Sequence, residues 1–174
     1  MPQHPRDTSK TIQERIATTH VRDLDVDIDA MAAISNIFRV SVLFRNQAEK
    51  HLLDQHKLSF SGFTVLWVLW VFGKMETYQL AEECGIAKGT LTGIVSTLEK
   101  YAFALRVAHP KDGRRKLVEL THKGNQIMKA LFLQINQLEQ AFVSELKKDE
   151  ISDLSRLLRI VLHTPEHHSG NSSK

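Results

Sequence analysis

The sequence predicts a mainly α fold with a small β-hairpin wing, and three stretches carry that expectation. From Asp27 to Asp54 there is no Pro or Gly, and apolar residues recur around nearly the whole helical circumference. From Thr77 to Tyr101 the chain reads as helix, tight turn, helix: TYQLAEEC, GIA, then KGTLTGIVSTLEKYA. From Phe103 to Thr121 it reads as a hairpin with a basic tip: FALRVAHP, KDGRRK, LVELT.

Taken in order, residues 1–26 form an N-terminal arm with a short helix at its end. Residues 1 to about 10 are polar with Pro2 and Pro5, which suits a mobile arm, and Thr11 to Thr19 suits a helix. The helix from about Asp27 to Asp54 carries Ile28, Met31, Ile34, Ile37, Phe38, Val40, Val42, Leu43, Phe44, Ala48, Leu52 and Leu53. A helix apolar on nearly all sides must be buried on nearly all sides. In so small a protein, a second subunit is the natural source of that cover. Ser61 to Phe72 suits a buried strand or a buried helix by periodicity alone. Its place before the helix-turn-helix selects a helix, with Ser61 as N-cap and Gly73 just past its end. After the hairpin, His122 to Leu146 reads as a long helix with the stripe Ile127, Met128, Leu131, Ile135, Leu138, Phe142, Leu146. Asp149 suits the cap of a last helix carrying Ile151, Leu154, Leu157, Leu158, Val161 and Leu162, stopped by Pro165. The expected organisation is therefore an arm at 1–26, a helical dimerisation region at 27–56 with 122–164, a helix-turn-helix and hairpin domain at 57–121, and a disordered tail at 165–174.

At 174 residues, with 42% hydrophobic and 25% charged residues, the chain is ordinary for one globular domain or two small packed ones. A net charge of +3 argues little, but its distribution argues more. Between Gly85 and Lys116 stand seven cations (Lys88, Lys100, Arg106, Lys111, Arg114, Arg115, Lys116) against Glu99 and Asp112. The positive charge is concentrated on the helix-turn-helix and hairpin. Cys84 is the only cysteine, so no intramolecular disulfide forms. The first ten residues lack the apolar core of a secretory signal, and the longest apolar run, Val65 to Phe72, is too short to cross a bilayer. A soluble, cytoplasmic protein is expected.

The second helix of the motif separates its faces. Leu91, Ile94 or Val95, and Leu98 face inward; Lys88, Gly89, Thr90, Thr92, Gly93, Ser96 and Lys100 face outward. A solvated helix face normally carries long charged side chains, whereas small hydroxyls and glycines suit a face that nucleic acid approaches closely. Hydroxyls serve phosphates or bases, and a threonine methyl contacts a thymine methyl. The tip Pro110-Lys111-Asp112-Gly113-Arg114-Arg115 joins turn residues to three cations, and arginine there suits a narrow, electronegative minor groove. Asp112 is placed to hold the Arg114 guanidinium. A helix-turn-helix pattern alone is weak, and a basic hairpin tip alone is usually just solvated. Both in this order, with dimer-like flanking helices, point to double-stranded DNA, with Lys111, Asp112, Arg114 and Arg115 as the hairpin's contact residues.

These residues resemble the MarR family of winged helix-turn-helix regulators. The resemblance is carried by Gln79-Leu80-Ala81-Glu82, Lys88-Gly89-Thr90-Leu91-Thr92, Leu98-Glu99-Lys100, the wing His109 to Arg115, and Val118-Glu119-Leu120-Thr121. It covers about Ala30 to Leu162. It implies a winged helix-turn-helix domain plus a helical dimerisation domain, and a homodimer built from the first and last helices. It implies a pseudo-palindromic operator with one recognition helix per half, and Arg114 in the minor groove. Two departures stand out. The family often has arginine where Gly93 stands and aspartate where Ser96 stands, and the usual glycine after the recognition helix is Ala102 here.

Members of this family often respond to small phenolic or aromatic carboxylate ligands, so the resemblance implies a pocket for such a ligand. Arg39 and Arg45 lie within the apolar first long helix, and a buried arginine needs a partner. Glu49, Asp54 or water is the ordinary partner; an anionic ligand held by both nitrogens is the functional one. With Phe38, Phe63, Trp67, Trp70 and His51, these residues make the candidate site for an aromatic acid effector, although each aromatic taken singly is more often core and His51 more often merely exposed. Cys84, flanked by Glu82 and Glu83, is a poor redox sensor because both anions raise its pKa. The scattered histidines show no ligand spacing, and no metal or other cofactor is expected. No P-loop, G-x-S-x-G, H-E-x-x-H or dinucleotide motif is present, so no enzymatic activity is expected. The expected function is a dimeric, ligand-responsive repressor. The alternative is a winged-helix scaffold or architectural dimer that senses no small molecule.

Overall fold

A computed structural model describes residues 9–163, without the side chains at 113 and 114. Residues 1–8 of the expected arm, the tail at 165–174 and the stop at Pro165 lie outside these residues. The described chain divides into two compact units, one ending at Leu138 and the other starting at Glu139.

The first unit begins with α1 (Ile12–His20), which is closed by a reciprocal cap. Thr11 Oγ1 accepts from Glu14 N at 3.2 Å, and the Glu14 carboxylate accepts from Thr11 N at 2.7 Å. Asp27 caps α2 (Ile28–Ala48) by accepting from Ala30 N. The long helix then widens into a π turn at Glu49–Leu53 and tightens into a 3₁₀ turn at Asp54–His56, ending at Lys57 in the left-handed region (φ 58°). The π turn starts at Glu49, whose carboxylate accepts from Phe60 N at 2.7 Å and so ties α2 to the start of α3.

α3 (Phe60–Phe72) is a helix, as its position before the motif suggested. Its cap, however, is Ser59 and not Ser61: the Ser59 hydroxyl accepts from Gly62 N, and Ser61 already lies inside the first turn. Val65, Leu66, Val68 and Leu69 of α3 are buried, together with Leu80, Leu91, Val95, Leu98, Val118, Met128 and Leu131. That single cluster joins α3, α4 (Thr77–Glu83), α5 (Lys88–Lys100), the sheet and the first part of α6 (His122–Phe142). Gly73 ends α3 with φ 79°, as expected of a residue just past a helix.

The hairpin is part of a three-stranded antiparallel sheet in the order β1-β3-β2, with β1 at Met75–Glu76, β2 at Ala104–His109 and β3 at Asp112–Leu120. β1 has no signal of its own in the sequence; it exists because Met75 and Glu76 pair with Val118 and Leu117 on the free edge of β3. The tip is tighter than its run of turn residues suggested. His109 pairs with Asp112 around Pro110 and Lys111, so Asp112 to Arg115 already belong to β3.

Thr121 links wing to helix. Its hydroxyl donates to Ala102 O at 2.7 Å and accepts from Gly124 N at 2.9 Å, which caps α6. A Cβ on Gly124 would stand 1.9 Å from the Phe103 carbonyl oxygen, so only glycine lets α6 leave the sheet this closely.

The second unit holds the end of α6, a turn, and α7 (Lys148–Leu162). α6 stops at Phe142, short of the expected Leu146, which lies in the turn. The expected cap at Asp149 is also corrected. Lys147 is the N-cap, its backbone N–H donating to the Glu150 carboxylate at 2.7 Å, and Asp149 sits in the first turn. No residue of α7 is buried, and Leu154, Leu157, Ile160, Val161 and Leu162 are exposed. Among the described residues no helix is long and apolar enough to cross a membrane.

Candidate nucleic-acid interface

The geometry of the recognition surface follows from the seating of α5. Leu91 and Val95 are fully buried and Leu98 almost so, while Ile94 is half-buried beside the core. Gly85, at φ 61°, turns the chain between α4 and α5 and donates its N–H to Glu82 O. With the apolar face fixed inward, every expected contact residue of the helix is exposed: Lys88, Gly89, Thr90, Thr92, Gly93, Ser96 and Lys100. The hydroxyl protons turn back along the helix. Thr92 donates to Lys88 O at 3.1 Å and Ser96 to Thr92 O at 3.0 Å. With those protons used, the two hydroxyls have only oxygen lone pairs left to offer a ligand. The Lys100 ammonium lies 5.8 Å from the centre of the Tyr101 ring.

The wing is fastened close to its tip by a charge cluster. The Glu76 side chain, 13% exposed, accepts from Arg115 Nε at 2.6 Å and Nη2 at 2.5 Å, and His109 Nε2 lies 4.0 Å from its other oxygen. His109 Nδ1 accepts from Lys111 N, closing the turn. Arg115, expected to contact DNA, is thus held by Glu76 and fixes the wing to β1. Lys111 and Asp112 are exposed at the tip. The Arg114 side chain, and with it the expected Asp112–Arg114 fork, lies outside the described residues.

Sequence reading missed Arg106. From β2 it reaches onto α5, where Nη1 donates to the Glu99 carboxylate and Nη2 donates to Thr92 O at 3.1 Å. Its own N–H donates to Glu99 Oε1 at 3.0 Å. The signal was a cation on a strand seven residues after a glutamate near a helix end, which no short-range pattern marks.

The candidate ligand residues fare differently. Arg39 and Arg45 are not buried charges: Arg39 is half-buried and Arg45 exposed. Arg39 is held by neither Glu49 nor Asp54; its Nη1 donates to Thr11 Oγ1 at 2.9 Å and more weakly to Asn36 Oδ1. Arg45 lies over the Phe60 ring at 5.7 Å. Phe63 is in the core, and Trp70 packs on Phe132 with ring centres 5.5 Å apart. Phe38, His51 and Trp67 keep exposed surface. Burial pushes the Cys84 thiol up to about 11, with the Glu83 charge adding to it, as the flanking acids suggested.

Comparison with known proteins fixes the family. Residues 58–116 match the family model described as MarR family. Over 142 residues, spanning 80% of this chain and 83% of the relative, the sequence is 32% identical to the uncharacterized HTH-type transcriptional regulator YwaE of Bacillus subtilis (strain 168). The chain belongs to the MarR family. Apo wild-type MarR from E. coli is 25% identical, with a TM-score of 0.65 over 74% of this chain and 94% of that chain. BpsR of Bordetella bronchiseptica, described as regulated in its DNA binding by 6-hydroxynicotinic acid, is 22% identical, with a TM-score of 0.68 over 75% of this chain and 98% of that one, a likeness of fold alone. As a MarR-family member, this chain is a DNA-binding transcriptional regulator and not an enzyme.

Proposed function

We propose that this MarR-family regulator is a homodimeric repressor, working in the cytoplasm, that leaves its operator when a small phenolic or aromatic carboxylate effector binds. The observation that carries the DNA part is the outward face of α5, whose exposed residues from Gly89 to Ser96 are short, beside a wing fastened close to its tip. Lys88, Gly89, Thr90, Thr92, Gly93, Ser96 and Lys100 lie in the major groove, and Lys111, Asp112 and Arg114 reach the minor groove. Arg115 serves by holding the wing.

The dimer reading rests on uncovered apolar surface. α2 exposes Ile34, Ile37, Phe38, Val40 and Leu43, and α7 exposes Leu154, Leu157, Ile160 and Val161. A soluble monomer rarely leaves so much apolar surface uncovered. A second copy covers both helices and sets two recognition helices about one DNA turn apart, on a pseudo-palindromic operator. The effector class is supported by the 6-hydroxynicotinic acid response of the structural neighbour BpsR. In this chain Phe38, Arg45, His51 and Trp67 have surface to offer such a ligand, Arg39 only if Thr11 releases it, and Phe63 and Trp70 only as the floor. The effector selects a dimer whose recognition helices do not span the half-sites, and DNA in turn weakens effector binding by the same factor.

Fluorescence anisotropy on DNA upstream of the protein's own gene, titrated with salt and then with a panel of aromatic acids, tests this. Specific, steeply salt-dependent binding released by one acid is the expected result. Binding that no acid releases overturns the effector; no specific binding overturns the repressor reading at that promoter.

A further inference from the structure

The middle of the α5 outward face holds only short side chains, Gly89 to Ser96, with no cation between Lys88 and Lys100. A Cβ on Gly89 or on Gly93 would meet nothing within 4 Å, so packing inside the chain asks for neither glycine, and glycine is a poor helix former. The Thr92 and Ser96 hydroxyls already spend their protons on helix carbonyls, so in this arrangement they have none for a phosphate, which only accepts.

A cation reaches this stretch from outside the helix. Arg106, on β2, lays its guanidinium on the same exposed face. Nη2 donates to the Thr92 carbonyl, and both terminal nitrogens lie 3.4 Å from Ser96 Oγ, a hydroxyl of that face. The Arg106 side chain is 26% exposed and its partner Glu99 31%, so the pair lies within reach of a ligand on α5. Glu99 anchors the strand independently, because it also accepts from the Arg106 backbone N–H.

We propose that Arg106 is a DNA-contacting residue: an operator phosphate takes the guanidinium from Glu99 when α5 enters the groove. This rests on the assignment of α5 as the DNA-reading helix. The planar fork of arginine binds a phosphate through two parallel hydrogen bonds, and Glu99 holds that fork at the helix until DNA arrives. β2 thereby supplies the charge that the middle of α5 lacks.

The test compares Arg106→Gln with Glu99→Gln by thermal melting and by DNA affinity across a salt series. Both variants break the same ion pair, so both lower the melting temperature by a similar small amount, and Glu99→Gln keeps an amide oxygen to accept from the Arg106 backbone N–H. If Arg106 only braces the fold, both weaken DNA binding alike with an unchanged salt slope, and the proposal is overturned. If it contacts phosphate, Arg106→Gln binds roughly ten-fold or more weakly and its log–log salt slope falls by about 0.9, while Glu99→Gln binds at least as tightly as the parent. Should Arg106→Gln fail to fold, Arg106→Lys keeps the charge without the fork. It is then expected to hold the slope and lose affinity, and affinity equal to the parent overturns the fork. A parent protein that binds no operator fails the underlying reading instead, a result visible before any variant is made.

Discussion

Two helices of this protein, α2 and α5, both have a free face, and the faces differ in kind. α5 hides Leu91, Val95 and Leu98 inside its own chain and turns glycines and hydroxyls outward. α2 buries only Ala48, and leaves Phe38 at 68% exposure with Ile34, Val40 and Leu43 beside it. The recognition helix has satisfied its apolar demand within the fold, so its outer face is free to be polar and thin. The long helix has not, so its outer face keeps the apolar side chains that the proposed dimer would cover. Charge density alone would not separate these roles; the completeness of burial does.

The buried face of α5 is most sensitive at Leu91, which is fully buried. Leu91→Ala opens a cavity beneath the recognition helix and costs about 2–5 kcal/mol of stability, measured by urea unfolding. Phe38→Asp acts on the other helix in the opposite sense. It leaves the fold intact by circular dichroism but weakens the dimer by about 2 kcal/mol or more, seen as a concentration-dependent monomer fraction in sedimentation. A monomer–dimer equilibrium unmoved by an aspartate there would mean α2 is covered by something other than a second copy. Ala102→Gly sharpens the α5 side. Ala102 holds φ 57°, a left-handed conformation that glycine adopts without strain, so the change raises stability by about 1 kcal/mol. The smallest effect is at Cys84. Its raised pKa leaves little thiolate at pH 8, so alkylation by iodoacetamide runs about 100-fold slower than for a free thiol, and Cys84→Ala leaves DNA binding within about two-fold. Rapid alkylation with loss of operator binding would reinstate a redox sensor.

What was legible in the sequence follows the same division. Most of the two faces of α5 was readable, because a 3.6-residue period sorts a helix with one buried face, but it left Ile94 and Val95 open, and Val95 is the fully buried one. The excess of apolar residues on α2 was readable as a demand for cover. Long-range pairings were not. β1 depends on the edge of β3, the Ser59 cap on where Leu58 enters the core, and the Arg115–Glu76 pair joins residues 39 apart in sequence. Arg39 was misjudged for the same reason. Asn36 is one turn away on α2, but Thr11 meets Arg39 only because α1 lies against α2, where Asn36 also donates to Glu14 at 3.0 Å.

The outward face of α5 is proposed to work against DNA, and no packing within the chain asks for its glycines. Gly93→Glu tests it directly, because a side chain at that position enters open space and glutamate is the better helix former. The measurement is the affinity of the folded variant for the operator. The expected result is an unchanged or slightly raised melting temperature with operator binding weakened at least about 100-fold, as a like charge beside phosphate requires. A stable Gly93→Glu protein that binds the operator as tightly as its parent would contradict it.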